Sequence, residues 1–138
     1  MALLATGHIQ CWGNNGYGQL GDGNTTDTDT PAEVQGISNA TQITAGQFHE
    51  CALLATGHIQ CWGDNSAGQL VDGNFTNSDT PVEVQGISNA TQVAAGEWHS
   101  CAVLSTGHIQ CWGYNGDGEL GDGNTTDTDT PVEVVGIP

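Results

Sequence analysis

The dominant constraint on this chain is a period of 50 residues. Residues 1–50 and 51–100 align without a gap and are identical at 36 of 50 positions; 101–138 then match 51–88 at 26 of 38. A chain repeating at this interval folds as a series of like supersecondary units, each burying a face against its neighbour. The units read from the sequence are a first repeat over 1–50, lacking its first strand, a second over 51–100, and a truncated third over 101–138.

Patterning inside the middle copy is that of strands. Residues 51–55 are short and apolar, Thr56-Gly57 is a turn, and His58-Ile59-Gln60-Cys61-Trp62 alternates, which together predict a hairpin. A Gly/Asn-rich loop follows over 63–70 with one buried-type residue, Leu70, and then a polar stretch over 72–80. Pro81-Val82-Glu83-Val84 alternates into a third strand, with proline at its first position, where a missing donor is tolerated. After a turn over 86–90, Thr91-Gln92-Val93-Ala94-Ala95 makes a small, apolar fourth strand. Helical periodicity is absent, so the fold expected is all-β, built of four-stranded antiparallel blades.

These residues resemble a known family. Gly96-Glu97-Trp98-His99-Ser100-Cys101-Ala102-Val103-Leu104, then Gly107-His108-Ile109-Gln110-Cys111-Trp112-Gly113, then Asn115, Gly118 and Leu120-Gly121 are similar to the repeat of the regulator-of-chromosome-condensation β-propellers. Trp12-Gly13-Asn14-Asn15 and Gly18-Gln19-Leu20-Gly21 of the first copy match it more closely still. Val71 departs from the last glycine of that pattern, and Glu119 from its glutamine. Kelch-type propellers share the period but carry a Gly-Gly doublet missing here, and WD-type repeats are shorter. The resemblance implies propeller blades in which Trp12, Trp62, Trp112, His49 and His99 are structural, the two histidines hydrogen-bonded within their blade. It does not bring the founding activity, nucleotide exchange on a small GTPase with chromatin docking, because fold alone implies no function. Secreted, bacterial-type members that bind or inhibit are the nearer match to the cysteines and the acidity.

The charge excludes whole classes of partner. Sixteen Asp and Glu stand against no Lys or Arg, a formal charge of −16. Phosphate backbones and anionic membrane surfaces are held by Lys and Arg, so neither nucleic acid nor membrane is an expected partner. Schiff bases, ammonium nucleophiles and guanidinium clamps are unavailable to the chain, there is no Gly-x-Ser-x-Gly elbow, and the carboxylates lie in loops. A non-enzymatic role is expected.

Five cysteines fall at equivalent places on either side of a Thr-Gly turn. Cys51 with Cys61 and Cys101 with Cys111 would face each other across hairpins, leaving Cys11 unpaired because Met1 occupies its partner's position. Bridges imply an oxidising, extracellular or cell-surface setting; the other reading is reduced, buried thiols acting as small apolar residues. Met1-Ala2-Leu3-Leu4 opens directly into repeat sequence and has no targeting character, so export would draw on a segment outside these residues.

Three further features are weighed. Asp22, Asn24, Asp27 and Asp29, repeated as Asp122, Asn124, Asp127 and Asp129, have the spacing of a weak calcium loop without its closing bidentate Glu. The second copy has Asn77 in place of the acid. Calcium is the one candidate cofactor, and a solvated acidic turn is the competing account. Asn24, Asn39, Asn74, Asn89 and Asn124 each begin an Asn-x-Thr sequon in a turn or loop, and the Thr-rich run over 25–30 could take O-linked sugar. A His-x-Cys pair at His49 or His99 would bind zinc only through thiolates that a bridge would consume.

Three repeats are too few to close a propeller of about four to eight blades. The array is expected to be open, leaving Leu3, Ile9 and Trp12 uncovered at one end, and to be an excerpt of a longer binding or inhibitory propeller or to self-associate into an oligomer or filament. The expected function is an extracellular module for protein interaction or assembly, with calcium or glycan binding as the alternative.

Overall fold

A computed structural model describes residues 1–137, which form eleven strands in three antiparallel sheets. The first sheet holds β1 (Ala2–Leu3), β2 (Ile9–Gly13) and β3 (Thr28–Glu33). The second holds β4 (Ala40–Ala45), β5 (His49–Leu54), β6 (Ile59–Gly63) and β7 (Ser78–Glu83), and the third β8 (Ala90–Ala95), β9 (His99–Leu104), β10 (Ile109–Gly113) and β11 (Thr128–Glu133). No helix occurs among the described residues, and none is therefore long and apolar enough to cross a membrane.

Sheet and sequence repeat are out of phase. The strand that ends the first repeat, β4, pairs with β5 and so belongs to the second sheet; β8 joins the third in the same way. Consequently the third sheet has all four strands although 101–138 is a truncated repeat, and the first sheet has three. The chain crosses every junction between sheets covalently, through the turns at 34–39 and 84–89.

Each hairpin turns at its Thr-Gly pair. Gly57 donates to the Leu54 carbonyl at 3.0 Å and has φ +85°. A Cβ there would stand 2.6 Å from the Ser88 carbonyl oxygen, so glycine is required both by the left-handed conformation and by the close approach of the next lead-in loop. The Pro-led strand departs from expectation: Pro81 is the fourth residue of β7, not its first. The register between β6 and β7 shifts between Cys61 and Gly63, so Pro81 lies at an irregularity of an outermost strand, where no ladder partner needs its missing N–H.

The sheets converge on β4 and β8. Gln42 and Thr44 reach across, accepting from the Val93 N–H at 3.3 Å and the Ala95 N–H at 2.9 Å, and the Gln42 amide donates to the Thr91 carbonyl at 3.2 Å. Small side chains on these inner strands allow that approach. Two apolar cores follow. One gathers Ile9, Leu20, Val34, Ile37, Ala52 and Trp62; the other gathers Ile59, Leu70, Val84, Ile87, Ala102 and Trp112. Ile9, expected to be uncovered, is fully buried in the cluster that includes Leu20, Ile37 and Trp62, and Leu3 packs half-buried against the same cluster.

Candidate functional site

The recurring structural unit is the joint between neighbouring sheets, and one tryptophan closes each. Trp62 donates its indole N–H to the Gln19 carbonyl and Trp112 donates to the Gln69 carbonyl, both at 2.9 Å. Both side chains are fully buried. In each case the ring belongs to one sheet and the core it covers to the preceding one. Gly21 makes room in the first joint: a Cβ there would lie 2.9 Å from the Trp62 Nε1. Val71 occupies that place in the second joint at φ +53°, a conformation that costs a β-branched residue about 1–3 kcal/mol. Trp12, the equivalent residue of the first sheet, is 45% exposed.

The inner part of the joints is polar. His49 Nε2 lies 2.8 Å from Ser100 Oγ of the third sheet, so this histidine bonds across the joint and not within its blade, as the resemblance had implied. Ser100 is short enough to reach it; the equivalent position in the first repeat is Glu50. Burial of His49 pushes its imidazole down to about 4. Glu50 has a buried Oε2 without a hydrogen-bond partner, and burial pushes its carboxyl up to about 8. Cys11 is a buried free thiol, raised to about 12 by burial first and by Glu50 second.

Cys51 and Cys61 are directly opposed across β5 and β6 and joined by a disulfide, with Cα atoms 4.1 Å apart; Cys101 and Cys111 are joined in the same way at 4.0 Å. Such close opposition belongs to the antiparallel pairs that do not exchange backbone hydrogen bonds, whose side chains lie nearest.

The acidic loops fold around an amide. Asn15 Nδ2 donates to Asp22 Oδ1 at 3.2 Å, the Asn24 carbonyl at 3.0 Å and the Thr26 carbonyl at 3.1 Å, while its Oδ1 accepts from the Leu20 N–H at 2.9 Å. Asp27 accepts from the Asn15 N–H at 2.8 Å, and Asn77 does the same for Asn65 at 2.9 Å. Only an acceptor oxygen is needed there, which is why Asn replaces Asp in the second copy. Asn65 and Asn115 are held in matching cages. Oxygens of Asp22, Asn24 and Asp27, and of Asp122, Asn124 and Asp127, thus converge on the chain's own amide groups, whereas Asp29 and Asp129 lie on β3 and β11 outside the cages. Among the described residues no three His, Cys, Asp or Glu side chains gather as a metal set.

All five sequon asparagines are exposed. Asn24 and Asn124 donate to Asp22 and Asp122 at 3.1 and 2.9 Å, and Asn89 donates to Ser105 at 3.2 Å. A feature not anticipated from sequence is a row of His–Glu pairs: His8 and Glu33 at 2.5 Å, His58 and Glu83 at 2.5 Å, and His108 with Glu133. Their separation of 25 residues is constant, and could have been read from the repeat.

The two rims of the array differ in kind. The Thr-Gly hairpin turns on one rim, with the lead-in loops at 35–39 and 85–89, are identical in the first two copies. The opposite rim carries the loops at 14–17 and 64–67 and the turns at 46–48 and 96–98, where those copies diverge. There Tyr17 packs on Phe48 with ring centroids 4.8 Å apart, and Trp98 meets Tyr114 edge-on at 5.6 Å. Tyr17 and Trp98 are each 40% exposed. Asp117 beside Tyr114 pushes that phenol upward.

With this geometry in view, comparison with known proteins defines the class. The model of the regulator of chromosome condensation (RCC1) repeat matches residues 6–53 and 56–103, and a second model of that repeat matches 40–69 and 90–119. The chain belongs to the RCC1 repeat family. Its fold is similar to that of human WBSCR16, with a TM-score of 0.84 and 24% identity over 95% of this chain and 34% of that one. Prp20p from Saccharomyces cerevisiae, studied for its binding to Gsp1p and histones, gives 0.85 and 24% over 96% and 35%. Yeast RCC1 (Prp20) bound to Kap60 gives 0.78 and 23% over 100% and 36%. The chain spans about a third of these propellers, as an open set of blades.

Proposed function

We propose that this chain is a non-enzymatic, extracellular propeller module that binds protein through its variable rim. The observation that carries this is the division between rims. The hairpin turns and lead-in loops are identical in the first two copies, while the opposite rim, which carries Tyr17, Phe48, Trp98 and Tyr114, differs between them. Exposed, rigidly paired aromatics are the side chains that dominate protein interfaces. A chain with 16 acidic residues and no Lys or Arg favours a cationic partner through steering. The similar propeller Prp20p binds Gsp1p and histones, which supports protein binding as a use of this fold. Two disulfides support an oxidising location.

The test is a peptide array of cationic and aromatic sequences probed with the chain, with the Tyr17→Ala/Trp98→Ala double variant, and with Ser88→Ala/Ser105→Ala on the opposite rim. Capture that weakens with salt and falls only for the aromatic double variant is expected. Equal capture by all three, or equal loss in both variants, would refute the rim.

A second reading, assembly of copies, is favoured by a different observation. Trp12 is 45% exposed and Ile137 38% exposed, whereas Trp62, Trp112, Ile37 and Ile87 at equivalent positions are buried. Each end of the array therefore displays apolar surface that the internal joints cover.

A further inference from the structure

At one place on the variable rim the third blade carries an aromatic pair among carboxylates, where the second carries mostly uncharged side chains. We propose that Trp98, Tyr114 and the carboxylates of Asp117 and Glu119 form a corner that takes an arginine side chain of the partner protein. This deepens the variable-rim reading above and rests on it.

The corner is made by two rings. Trp98 and Tyr114 meet with centroids 5.6 Å apart and planes at 76°, so they stand as two walls and do not close on each other. Trp98 is 40% exposed and Tyr114 half-buried. The Tyr114 N–H donates to the Trp98 carbonyl at 2.9 Å, which ties the two loops together. The phenol lies over Gly116, where a Cβ would run into its hydroxyl; the second blade has Ser66 there, and Asp64 in place of the tyrosine. At the first joint, by contrast, Tyr17 and Phe48 lie 4.8 Å apart at only 36°, so that each ring covers much of the other.

Carboxylates surround these walls. Glu97, Asp117, Glu119 and Asp127 stand where the second blade has Gln47, Ala67, Gln69 and Asn77. The Tyr114 phenol registers them: Asp117 first, then desolvation, then Glu119 and Asp127 push it upward. Two are held by the backbone, Glu119 accepting from the Asp117 N–H at 2.9 Å and Asp127 from the Asn115 N–H at 2.8 Å. A cation over an indole or phenol face is attracted by the ring quadrupole, and no Lys or Arg of the chain exists to take that place. A guanidinium is planar, so it can lie on a ring while its N–H edge pairs with carboxylates; a compact ammonium cannot do both. Every group of the corner belongs to the third sheet and its loops, and that sheet has all four strands.

NMR titration of the 138-residue chain with acetyl-Gly-Arg-Gly-amide tests this, followed at the Trp98 indole and the Tyr114 ring, beside the matching lysine and uncharged citrulline peptides. The arginine peptide should shift both rings saturably and bind several-fold more tightly than the lysine peptide, while the citrulline peptide leaves them unmoved. Asp117→Ala/Glu119→Gln installs the side chains at the equivalent places of the second blade, which folds with them, and should weaken arginine binding about tenfold. Trp98→Phe installs the residue at position 48 and should weaken it about threefold. Arginine binding no better than citrulline, or undiminished in the carboxylate double variant, would overturn the corner; if the peptide array still shows capture that depends on Tyr17 and Trp98, the rim reading stands without it. Equal affinity for arginine and lysine would overturn the guanidinium assignment. Array capture indifferent to the rim, together with no shift by the arginine peptide, would remove both.

Discussion

The joint between the first and second sheets and the joint between the second and third share a tryptophan and differ in what lies beneath it. Both close on a buried indole bonded to the carbonyl of the preceding repeat. In the second joint His49 Nε2 meets Ser100, beside the Cys51–Cys61 bridge, while its Nδ1 is buried without a partner. In the first, Glu50 stands where Ser100 would be, with an unpartnered oxygen, near the unbridged Cys11. The apolar clamp tolerates these differences because its geometry depends on the backbone of a repeated loop. Near-identical copies thus give two joints with opposite titratable weaknesses, a buried carboxyl in the first and a buried imidazole in the second.

The largest effect should come from the clamp itself. Trp112→Ala removes a fully buried ring and should cost about 3–5 kcal/mol, measured by chemical denaturation; Trp62→Ala should cost a similar amount. A loss below 1 kcal/mol at either would mean that the joint is held elsewhere. Removing the bridge by Cys51→Ala/Cys61→Ala should cost about 2–4 kcal/mol and make the second sheet resemble the first. In the native chain Cys11 should alkylate far more slowly than in denaturant, since burial raises its thiol; equal rates would contradict its enclosure.

The inner groups should separate the joints by pH. The Glu50 carboxyl sits at about 8 when folded, above its ordinary value of 4.5, so the folded state binds the extra proton and stability falls as pH rises between those values. His49, lowered to about 4 from 6.5, makes stability fall as pH drops through that window. A maximum between about pH 4.5 and 6.5 follows. Glu50→Gln should raise the melting temperature at pH 8, by about 1–3 kcal/mol in stability, and leave it unchanged near pH 4. An unchanged alkaline limb would show that Glu50 is satisfied in solution.

Much of this architecture was legible in the sequence, and the remainder has identifiable causes. Period-2 alternation in His58–Trp62 and the Thr-Gly turns marked the hairpins, because a strand's two faces and a left-handed glycine each leave a local signature. The phase of the sheets left none: that Ala40–Ala45 pairs forward depends on which edge is vacant, not on the strand's own residues. Pro81 was placed at a strand start because an irregular register cannot be read from composition. The oxygens of Asp22, Asn24 and Asp27 suggested a cation, since spacing shows which oxygens converge but not that Asn15, seven or more residues earlier, supplies the group at their centre. Trp12, Trp62 and Trp112 each stand in the same Gly-His-Ile-Gln-Cys-Trp-Gly run and differ in exposure through what packs against them.

The smallest effects should come from the cages and from Val71. Calcium at millimolar concentration should leave the melting temperature unchanged, because Asn15, Asn65 and Asn115 already fill the loops; a rise of several degrees would restore the calcium reading. Val71→Gly exchanges relief of a left-handed β-branched residue for lost packing and added chain entropy, and should shift stability by less than about 1 kcal/mol.

Hydrogen exchange of the indole N–H groups, followed by NMR, tests the repeated joint most directly. In dilute solution Trp62 and Trp112 should exchange slowly and at similar rates, while Trp12, 45% exposed, exchanges fast. Equal exchange of all three in dilute solution would contradict the account, since the tryptophans would then close no joint that distinguishes the interior of the array from its ends.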